Sequence, residues 1–387
     1  MTPKEFFSNL LGIIGSFTFQ DFSMPHRIRR LLCAGCVVVI LSGSGRAGFG
    51  EAGKGVSSRT AADYVHAVIE ANRTIYAGYI VDRLEKTTSL RATERWEEED
   101  ALLLPAQFLK KSSEISARAP TGMQYRLLSL WPINPENGPR SEEERAALES
   151  VSANPAQPFT RVTRISGKSY FRAVYPDVAN NDTCVSCHNH HPKSPRTDFK
   201  KGEVMGAILI DLPLPAASGD RESAEPLFPP DVIADYIRNI LQADRTLYAK
   251  QIVERLQTRG KIRASQYWWA ENGLPLPAQY LLSVARRVDQ QNLGMGFRLI
   301  SLWPINPQNG PADEFEVKGL DALSTHPQAP YTERTDSAGV AYFRAVYPDV
   351  AVTSSCVECH NGHAESPRTD FKLNDVMGGI SITLQIR

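Results

Sequence analysis

The pentapeptide Cys184-Val185-Ser186-Cys187-His188 returns as Cys356-Val357-Glu358-Cys359-His360, 172 residues further along the chain. Two longer segments are identical at the same offset: residues 170–177 match 342–349, and residues 194–200 match 366–372. A repeat of this length is the size of a domain and is too long for one unit of a solenoid. We therefore predict a tandem duplication in which each copy folds around one pentapeptide.

The spacing C-x-x-C-H is the sequence signature of covalent c-type haem attachment. Its two thiols reach the two vinyl groups of a haem, and the histidine that follows then lies beneath the iron as its proximal ligand. We expect thioether bonds from Cys184, Cys187, Cys356 and Cys359, and proximal iron ligation by His188 and His360. The predicted cofactors are two covalent c-type haems.

Two other uses of the paired cysteines are less compatible with the sequence. A thioredoxin-like dithiol would need a βαβ context, which the residue pattern lacks. A zinc site would have to join cysteines from both copies of the repeat.

Charge and cysteine usage limit the possible functions further. The 387 residues carry 43 basic and 43 acidic side chains, and no basic run stands out, so we expect no nucleic-acid partner. Four of the six cysteines belong to the pentapeptides, and the other two, Cys33 and Cys36, lie near the N-terminus. If both haems attach, the body of the protein keeps no thiol for a disulfide, a zinc site or nucleophilic catalysis.

The N-terminus has the order of an export signal. Arg27, Arg29 and Arg30 precede an apolar run at residues 31–41, and small residues follow up to residue 50. We predict a leader over residues 1–50, with Met24 as a possible true start, and a periplasmic location. The apolar run is shorter than the ~20 residues of a comfortable membrane span, so we expect no transmembrane domain in the mature chain; a retained N-terminal anchor is the alternative.

The residue pattern predicts an α+β fold in each copy. An amphipathic helix comes first, over residues 61–84 and its counterpart, and a second helix begins at Pro105 and Pro277. An antiparallel sheet with helical insertions follows, which is compatible with a PAS-like sheet. We predict one domain over residues 56–214, a linker rich in proline, alanine and serine over 215–230, and a second domain over 231–387.

Several motifs together resemble the PAS-like c-type haem domain family, whose structural prototype is a small cyanobacterial cytochrome. They are L-P-A-Q, S-L-W-P-I-N, Y-F-x-A-V-Y-P-D, C-x-x-C-H-N, S-P-x-x-D-F-K and V-M-G-x-I, and each occurs in both copies. The resemblance implies two tandem PAS-like domains, each an antiparallel sheet flanked by a long N-terminal helix, with one haem per domain.

Relatives of this family carry the domain as the input module of membrane histidine kinases or cyclases. No kinase or cyclase follows the closing strand at residue 386, so we expect any signalling to need a separate partner. The prototype uses a cysteine of its N-terminal helix as the sixth iron ligand. Neither N-terminal helix contains a cysteine here, so that ligand cannot be carried over.

The sixth iron ligand should be a residue that both copies share. Tyr76 and Tyr248 lie on the N-terminal helix, and Met123 and Met295 lie at a strand entrance that we expect to be comparatively exposed. Met205 and Met377 lie in an apolar strand, where methionine is more often core, and His191 and His363 follow too closely on the proximal histidine. The tyrosine pair, the Met123 pair and an open sixth position are the alternatives.

Matched basic residues are candidates for binding the haem propionates. The pairs are Arg126 with Arg298, Arg172 with Arg344, Arg196 with Arg368, and Lys200 with Lys372. Arg196 and Arg368 come soon after the pentapeptides and are the first choice, because propionates need cationic or N–H partners when they are partly buried.

These observations predict an exported dihaem c-type cytochrome that transfers electrons or relays redox state to a partner protein. The alternative is a redox or gas sensor for NO, CO or O2 that acts through a separate partner. A dihaem peroxidase or reductase is less favoured, because the two haem environments are near copies of each other. No catalytic residue is predicted.

Overall fold

The computed structural model describes residues 55–180, 182–215 and 226–387. The predicted leader and residues 216–225 of the predicted linker lie outside this part of the chain. Among the helices of the described residues, none is long and apolar enough to span a bilayer.

The first repeat consists of two helices, a four-stranded sheet and two shorter helices. Its main elements are α1 (Ser58–Ile75), α2 (Pro105–Ser116), β1 (Gln124–Leu128), α3 (Glu142–Ala153), β2 (Phe159–Ile165), β3 (Lys168–Val178), α4 (Asp182–His190) and β4 (Val204–Pro213). The helix α1 continues through a π-helical segment, Tyr76–Asp82, into a last turn, Arg83–Thr87. Short strands at Val56–Ser57, Ala92–Thr93 and Leu102–Leu103 and a 3-10 turn at Pro135–Asn137 complete the repeat.

The second repeat has the same elements in the same order. They are α5 (Pro230–Leu247), α6 (Pro277–Asp289), β5 (Met295–Ile300), α7 (Glu314–Thr325), β6 (Tyr331–Ser337), β7 (Val340–Val350), α8 (Ser354–Gly362) and β8 (Val376–Ile386). The helix α5 continues through a second π-helical segment, Tyr248–Glu254, into the turn Arg255–Thr258. Short strands lie at Leu227–Phe228, Ala264–Ser265 and Leu274–Pro275, and a 3-10 turn lies at Pro307–Asn309.

Each sheet is antiparallel. Its last strand in the sequence, the closing strand (β4 or β8), lies between two other strands of the sheet. The strand orders are β1-β4-β3-β2 and β5-β8-β7-β6. The closing strands alternate between two packed faces and are buried along most of their length, which explains their continuous apolar sequence. Each repeat is thus a PAS-like α+β domain, as the sequence predicts.

The two repeats share one hydrophobic core, and the described residues form one compact unit. Helix α1 packs on α5 and α6 of the other repeat, while α2 packs on α5. The strand Val56–Ser57 pairs with Leu227–Phe228, so the starts of both repeats are hydrogen-bonded to each other. The two repeats therefore share an extensive packed interface.

Two arginines cross this interface in a reciprocal way. Arg83 donates to the carbonyl oxygen of Gly273, and its guanidinium carbon lies 4.8 Å from the ring centroid of Trp268. Arg255, the residue that corresponds to Arg83, donates to the carbonyl oxygen of Ala101 and lies 4.8 Å from the centroid of Trp96. The aromatic ring and the carbonyl oxygen each interact favourably with the positive charge of the guanidinium group that crosses the interface.

Candidate functional site

Both pentapeptides lie on short helices, α4 and α8, which begin a few residues after β3 and β7. On a helix, residues three and four positions apart face the same way, so the two thiols and the imidazole of each motif share one side. In the second repeat the hydroxyl of Thr353 accepts a hydrogen bond from the Cys356 N–H and caps the start of α8. The residues between β7 and α8 therefore set the direction in which the side chains of Cys356, Cys359 and His360 point.

A cavity of about 620 Å³ opens beside the second pentapeptide. It is lined by Cys356, Cys359 and His360, together with Arg245 and Asp349, and by Trp303 and Met377 on its apolar side. This volume lies within the range of small-molecule and cofactor sites, and the mixture of apolar walls with a few convergent polar groups is typical of them.

The two motif histidines are available as ligands. Within the described residues, neither ring nitrogen of His188 or His360 makes a hydrogen bond, and Nδ1 of each ring is buried. Each imidazole meets a phenylalanine edge-on, His188 with Phe199 at 5.9 Å and His360 with Phe371 at 5.8 Å between centroids. Burial lowers the pKa of both imidazoles, which favours the neutral form that binds metals.

The motif cysteines have the environment of attachment residues more than that of reactive thiols. Cys187 and Cys359 are exposed, yet the surrounding protein desolvates their thiols and raises the pKa of each. A nucleophilic or redox cysteine needs a lowered pKa, so this environment disfavours a thioredoxin-like dithiol.

The donor set fits a haem better than a bare metal ion. In the part of the chain that the structure describes, no three His, Cys, Asp or Glu side chains converge to hold an ion by themselves. A haem supplies four equatorial nitrogens of its own and needs from the protein only an axial ligand and the two thiols. The paired thiols, the uncommitted imidazole and the cavity beside them meet those requirements.

A buried ion pair lies next to each pentapeptide. Arg73 Nη2 lies 2.8 Å from Asp177 Oδ2, and Arg245 Nη1 lies 2.8 Å from Asp349 Oδ1. Both aspartates directly precede a β-bulge, at which β3 and β7 shift register against the closing strands. Burial raises the pKa of both carboxyls in spite of the neighbouring guanidinium groups. Bulges of this kind often re-aim side chains next to functional sites.

The chain was compared with known proteins. The model of the Tll0287-like family matches residues 56–213 and 232–385, which is most of the chain. The chain belongs to the Tll0287-like family. The resemblance expected from the sequence is therefore confirmed, and the two matched regions are its tandem Tll0287-like domains. No curated protein and no solved structure matches the chain.

The tyrosines proposed as sixth ligands lie in the core between the two Tll0287-like domains. The hydroxyl of Tyr76 donates to the Leu103 carbonyl at 2.9 Å, and that of Tyr248 donates to the Pro275 carbonyl at 2.8 Å. Both side chains are fully buried. A tyrosine would have to break this hydrogen bond and leave the core to bind iron, so its position disfavours that role.

The expected exposure of Met123 and Met295 is wrong. Their side chains are 1% and 5% exposed and belong to the core that the two domains share. Met205 and Met377, interpreted from the sequence as core filler, are also buried, but they pack beside the pentapeptides against Phe199 and Phe371. Of the methionines, Met377 is the one that lines the cavity.

Met205 and Met377 could have been favoured from the sequence. The dipeptide Met-Gly opens the closing strand in both Tll0287-like domains, and the strand begins soon after the motif. Periodicity alone assigned these side chains to the core, and it could not show that this end of the core is the wall of the cavity.

The remaining matched histidines lie at the rim of the site. His191 Nε2 lies 3.5 Å from Glu94 Oε1, and its Nδ1 accepts a hydrogen bond from the Lys193 N–H. His363 lines the cavity, and its Nδ1 accepts from the Glu365 N–H. Their Nδ1 atoms are thus held by the local turn that follows each motif helix.

Arg196 and Arg368 stack on the aromatic wall of each site. The guanidinium carbon of Arg368 lies 4.7 Å from the centroid of Trp303 and 4.4 Å from that of Phe371, and Arg196 has the same arrangement on Trp131 and Phe199. Nε of Arg196 pairs with Asp198, and Nε of Arg368 pairs with Asp370. Their part in binding propionates stays a prediction.

The other matched cations lie elsewhere or were missed. Arg126 and Arg172 line a separate cavity of about 390 Å³ that contains no motif residue. There Arg126 pairs with Glu144, and Arg172 pairs with Asp211.

The sequence did not place Arg73 and Arg245 among the candidates, although they recur within the matched segment Arg-Thr-x-Tyr. That exact recurrence on the N-terminal helix was the available signal.

The N-terminal helix faces the cavity with small apolar side chains. Ala249 and Val253, both within the π-helical segment Tyr248–Glu254, line it in the second Tll0287-like domain. The corresponding residues of the first domain are also alanine and valine, Ala77 and Val81. π-helical segments are often found at functional sites, and this pair was not visible in the sequence pattern.

Proposed function

We propose that the protein is an exported dihaem c-type cytochrome that relays single electrons, with one haem covalently attached in each Tll0287-like domain. The observation that carries the proposal is the arrangement of each pentapeptide, whose thiols and uncommitted imidazole share one side of a short helix. In the second domain these groups line one cavity.

The residues of the chain have separable tasks in this proposal. When bound, a haem supplies an iron that gains and loses one electron reversibly. His360 presents a neutral imidazole, and Phe371 holds the ring at its edge. The pair Arg245–Asp349 adds a cation and an anion to the cavity wall, so that the site keeps a balanced charge before any redox change. Trp303 and Met377 exclude water from the apolar side.

Haem attachment is tested on the purified full-length chain by the mass of the denatured protein and by its haem content. We expect two haems in the wild type and one in the double variant Cys356→Ala/Cys359→Ala, with the matched double variant Cys184→Ala/Cys187→Ala also retaining one. Retention of two covalent haems in either variant, or of none in the wild type, would contradict the proposal.

A second candidate, a gas or redox sensor that acts through a partner, is supported by Ala249 and Val253. Neither side chain can ligate iron, so the helix that supplies the prototype's ligand leaves an apolar space. Optical spectra of the reduced protein with and without CO discriminate between the two functions. A shifted spectrum favours the sensor, and an unchanged one favours the electron relay.

Export is the remaining part of the proposal, and it is supported by the basic, apolar and small-residue order of residues 27–50. Fractionation of cells should place the haem protein in the periplasm, at a mass that lacks the leader. Electron relay without catalysis also predicts that the reduced protein does not turn over peroxide, and steady turnover would count against it.

A further inference from the structure

A small cavity lies in the shared core, away from both pentapeptides. It is about 10 Å³ in volume, and its polar lining comes from both repeats: Asn72 and Arg73 of α1, Ser112 of α2, Tyr125 of β1 and Asp244 of α5. A volume of this size holds about one water molecule. The site therefore joins the two repeats through a polar space in an otherwise apolar interface.

Asp244 is an unusual residue for such a place. Its side chain is 3% exposed, and within the described residues its carboxylate forms no ion pair with a lysine or arginine. Burial raises the pKa of this carboxyl to about 7, and the neighbouring hydroxyl of Ser112 opposes the shift. A buried carboxyl without a cation is stable mainly in its neutral form.

The titratable groups that face Asp244 come from three other elements. Tyr125 of β1 and Tyr280 of α6 are buried phenols whose pKa values are raised well above the usual range, so they stay neutral. Tyr125 is hydrogen-bonded to Ser112 at 2.8 Å. Arg73 of α1 lies across the cavity and directs Nη2 to Asp177. Asp244 is thus the group of this cavity whose charge can change near neutral pH.

Two further atoms at the cavity lack partners. Asn72 Oδ1, an acceptor, and Arg73 Nε, a donor, are both buried and make no hydrogen bond within the described residues. Buried polar atoms without partners usually indicate an ordered water. A single water between them and Asp244 would have a donor, an acceptor and a carboxyl group as partners, within the two to four that buried waters require.

The acid is not a requirement of the fold. Asn72 occupies the position that corresponds to Asp244 in the other repeat, on the matched helix and next to the matched arginine. An amide is isosteric with a carboxyl, and it is accommodated at the equivalent place. The interface could therefore have been built from two asparagines, and the carboxyl adds only a proton-binding group.

The cavity is connected to both candidate haem sites by arginines. Arg73 lines it, and the charge of Arg73 acts on His188. Arg245, which follows Asp244 in the chain, lines the larger cavity that contains His360. Charges inside a protein interact more strongly than in water because the effective dielectric constant is lower. A change of charge at either iron would therefore change the pKa of the Asp244 carboxyl.

We propose that Asp244 and one bound water molecule form a proton-binding site between the repeats, and that electron uptake at the haem sites is accompanied by proton uptake at Asp244. An external reductant would supply the electron, and a bound haem would take it up. A solvent proton, delivered through the bound water, adds to the carboxylate oxygen and gives the neutral acid. The added negative and positive charges then balance within the protein. By linkage, the midpoint potential falls as the pH rises through the titration.

The proton site itself is tested on the full-length chain by infrared titration from about pH 5 to about pH 9. We expect the difference spectrum between wild type and Asp244→Asn to contain a protonated carboxyl band that disappears near neutral pH. The difference between wild type and Asp231→Asn, an exposed carboxyl on the same helix, should contain no such band. Bands from other buried carboxyls, such as Asp177 and Asp349, cancel in these differences. A wild-type-minus-Asp244→Asn spectrum without the band at the acidic end overturns the assignment.

The coupling rests on the proposed haem function and is tested separately, by redox titration of the holoprotein over the same pH range. We expect the midpoint potentials of wild type and Asp231→Asn to fall with pH, and those of Asp244→Asn to lose that dependence. A flat wild-type profile, or an unchanged slope in Asp244→Asn, overturns the coupling. If the chain carries no haem, the proposed function fails, while the infrared titration still decides the proton site.

Discussion

Replacement of Asp244 by asparagine should stabilise the protein at alkaline pH and have little effect at acidic pH. The carboxyl titrates at about 7 in the folded chain, against an ordinary value of 3.8. The folded state therefore prefers the protonated acid, so the favourable contribution is fully present below the ordinary value and is lost as the pH rises through about 7. A difference of ~3 units at 1.36 kcal/mol each gives about 4 kcal/mol.

The measurement is the free energy of unfolding in urea for wild type and Asp244→Asn, from about pH 4 to about pH 8. The difference between the two proteins should grow by about 4 kcal/mol across this range. Other buried groups, such as Asp177 and His66, titrate in both proteins and cancel in the difference. Asp231→Asn should show no such growth. A difference that is constant with pH would refute the inference that the carboxyl is buried without a compensating charge.

Three further substitutions test the interface and the site. Arg83→Met should cost about 2 kcal/mol, because the carbonyl of Gly273 loses a charged donor, whereas Lys86→Met on the surface should change the unfolding free energy little. Gly378→Ala places a methyl group against the backbone oxygen of Ile300 and should cost about 1–3 kcal/mol by thermal denaturation; Gly362→Ala, with open space around it, is the control. If CO shifts the spectrum of the reduced protein, as the sensor candidate expects, Ala249→Leu should fill part of the second cavity and weaken CO binding at one of the two haems by optical titration, while Lys250→Leu, exposed on the same helical segment, should leave it unchanged.

The sequence predicted the elements that depend on local pattern. The repeat at an offset of 172 residues, the long N-terminal helix and the apolar closing strand were all visible in residue order and periodicity. The pentapeptide spacing predicted which three residues act together, but it did not predict that they lie on short helices.

The sequence did not predict what depends on packing between elements. The pairing of Arg73 with Asp177 joins a helix to the bulged end of a strand, and the bulge follows from register, which the sequence does not display. Met123 was expected to be exposed because it lies at a strand entrance, but its side chain belongs to the core that the two repeats share. The reciprocal contacts of Arg83 and Arg255 across the interface are likewise not visible in the sequence of either repeat alone.

The two repeats can be compared position by position. Four residues beside the two pentapeptides are the same in both copies: arginine at 73 and 245, tryptophan at 131 and 303, phenylalanine at 199 and 371, and methionine at 205 and 377. Three polar residues of the interface cavity differ from their counterparts: Asn72 corresponds to Asp244, Ser112 to Val284, and Tyr125 to Phe297.

Two sites with the same immediate neighbours should have similar affinities for an electron, since axial ligand, hydrogen bonding and burial set that affinity. A difference between them can then come from the few nearby positions that differ, such as Ser186 and Glu358, or from a charge further away. The interface supplies one, because its two related positions hold one amide and one carboxyl instead of two amides. The two repeats therefore keep two similar candidate sites, while the interface between them contains an amide at Asn72 and a carboxyl at Asp244. Asp244 is the group through which pH can act on the sites from within the interface.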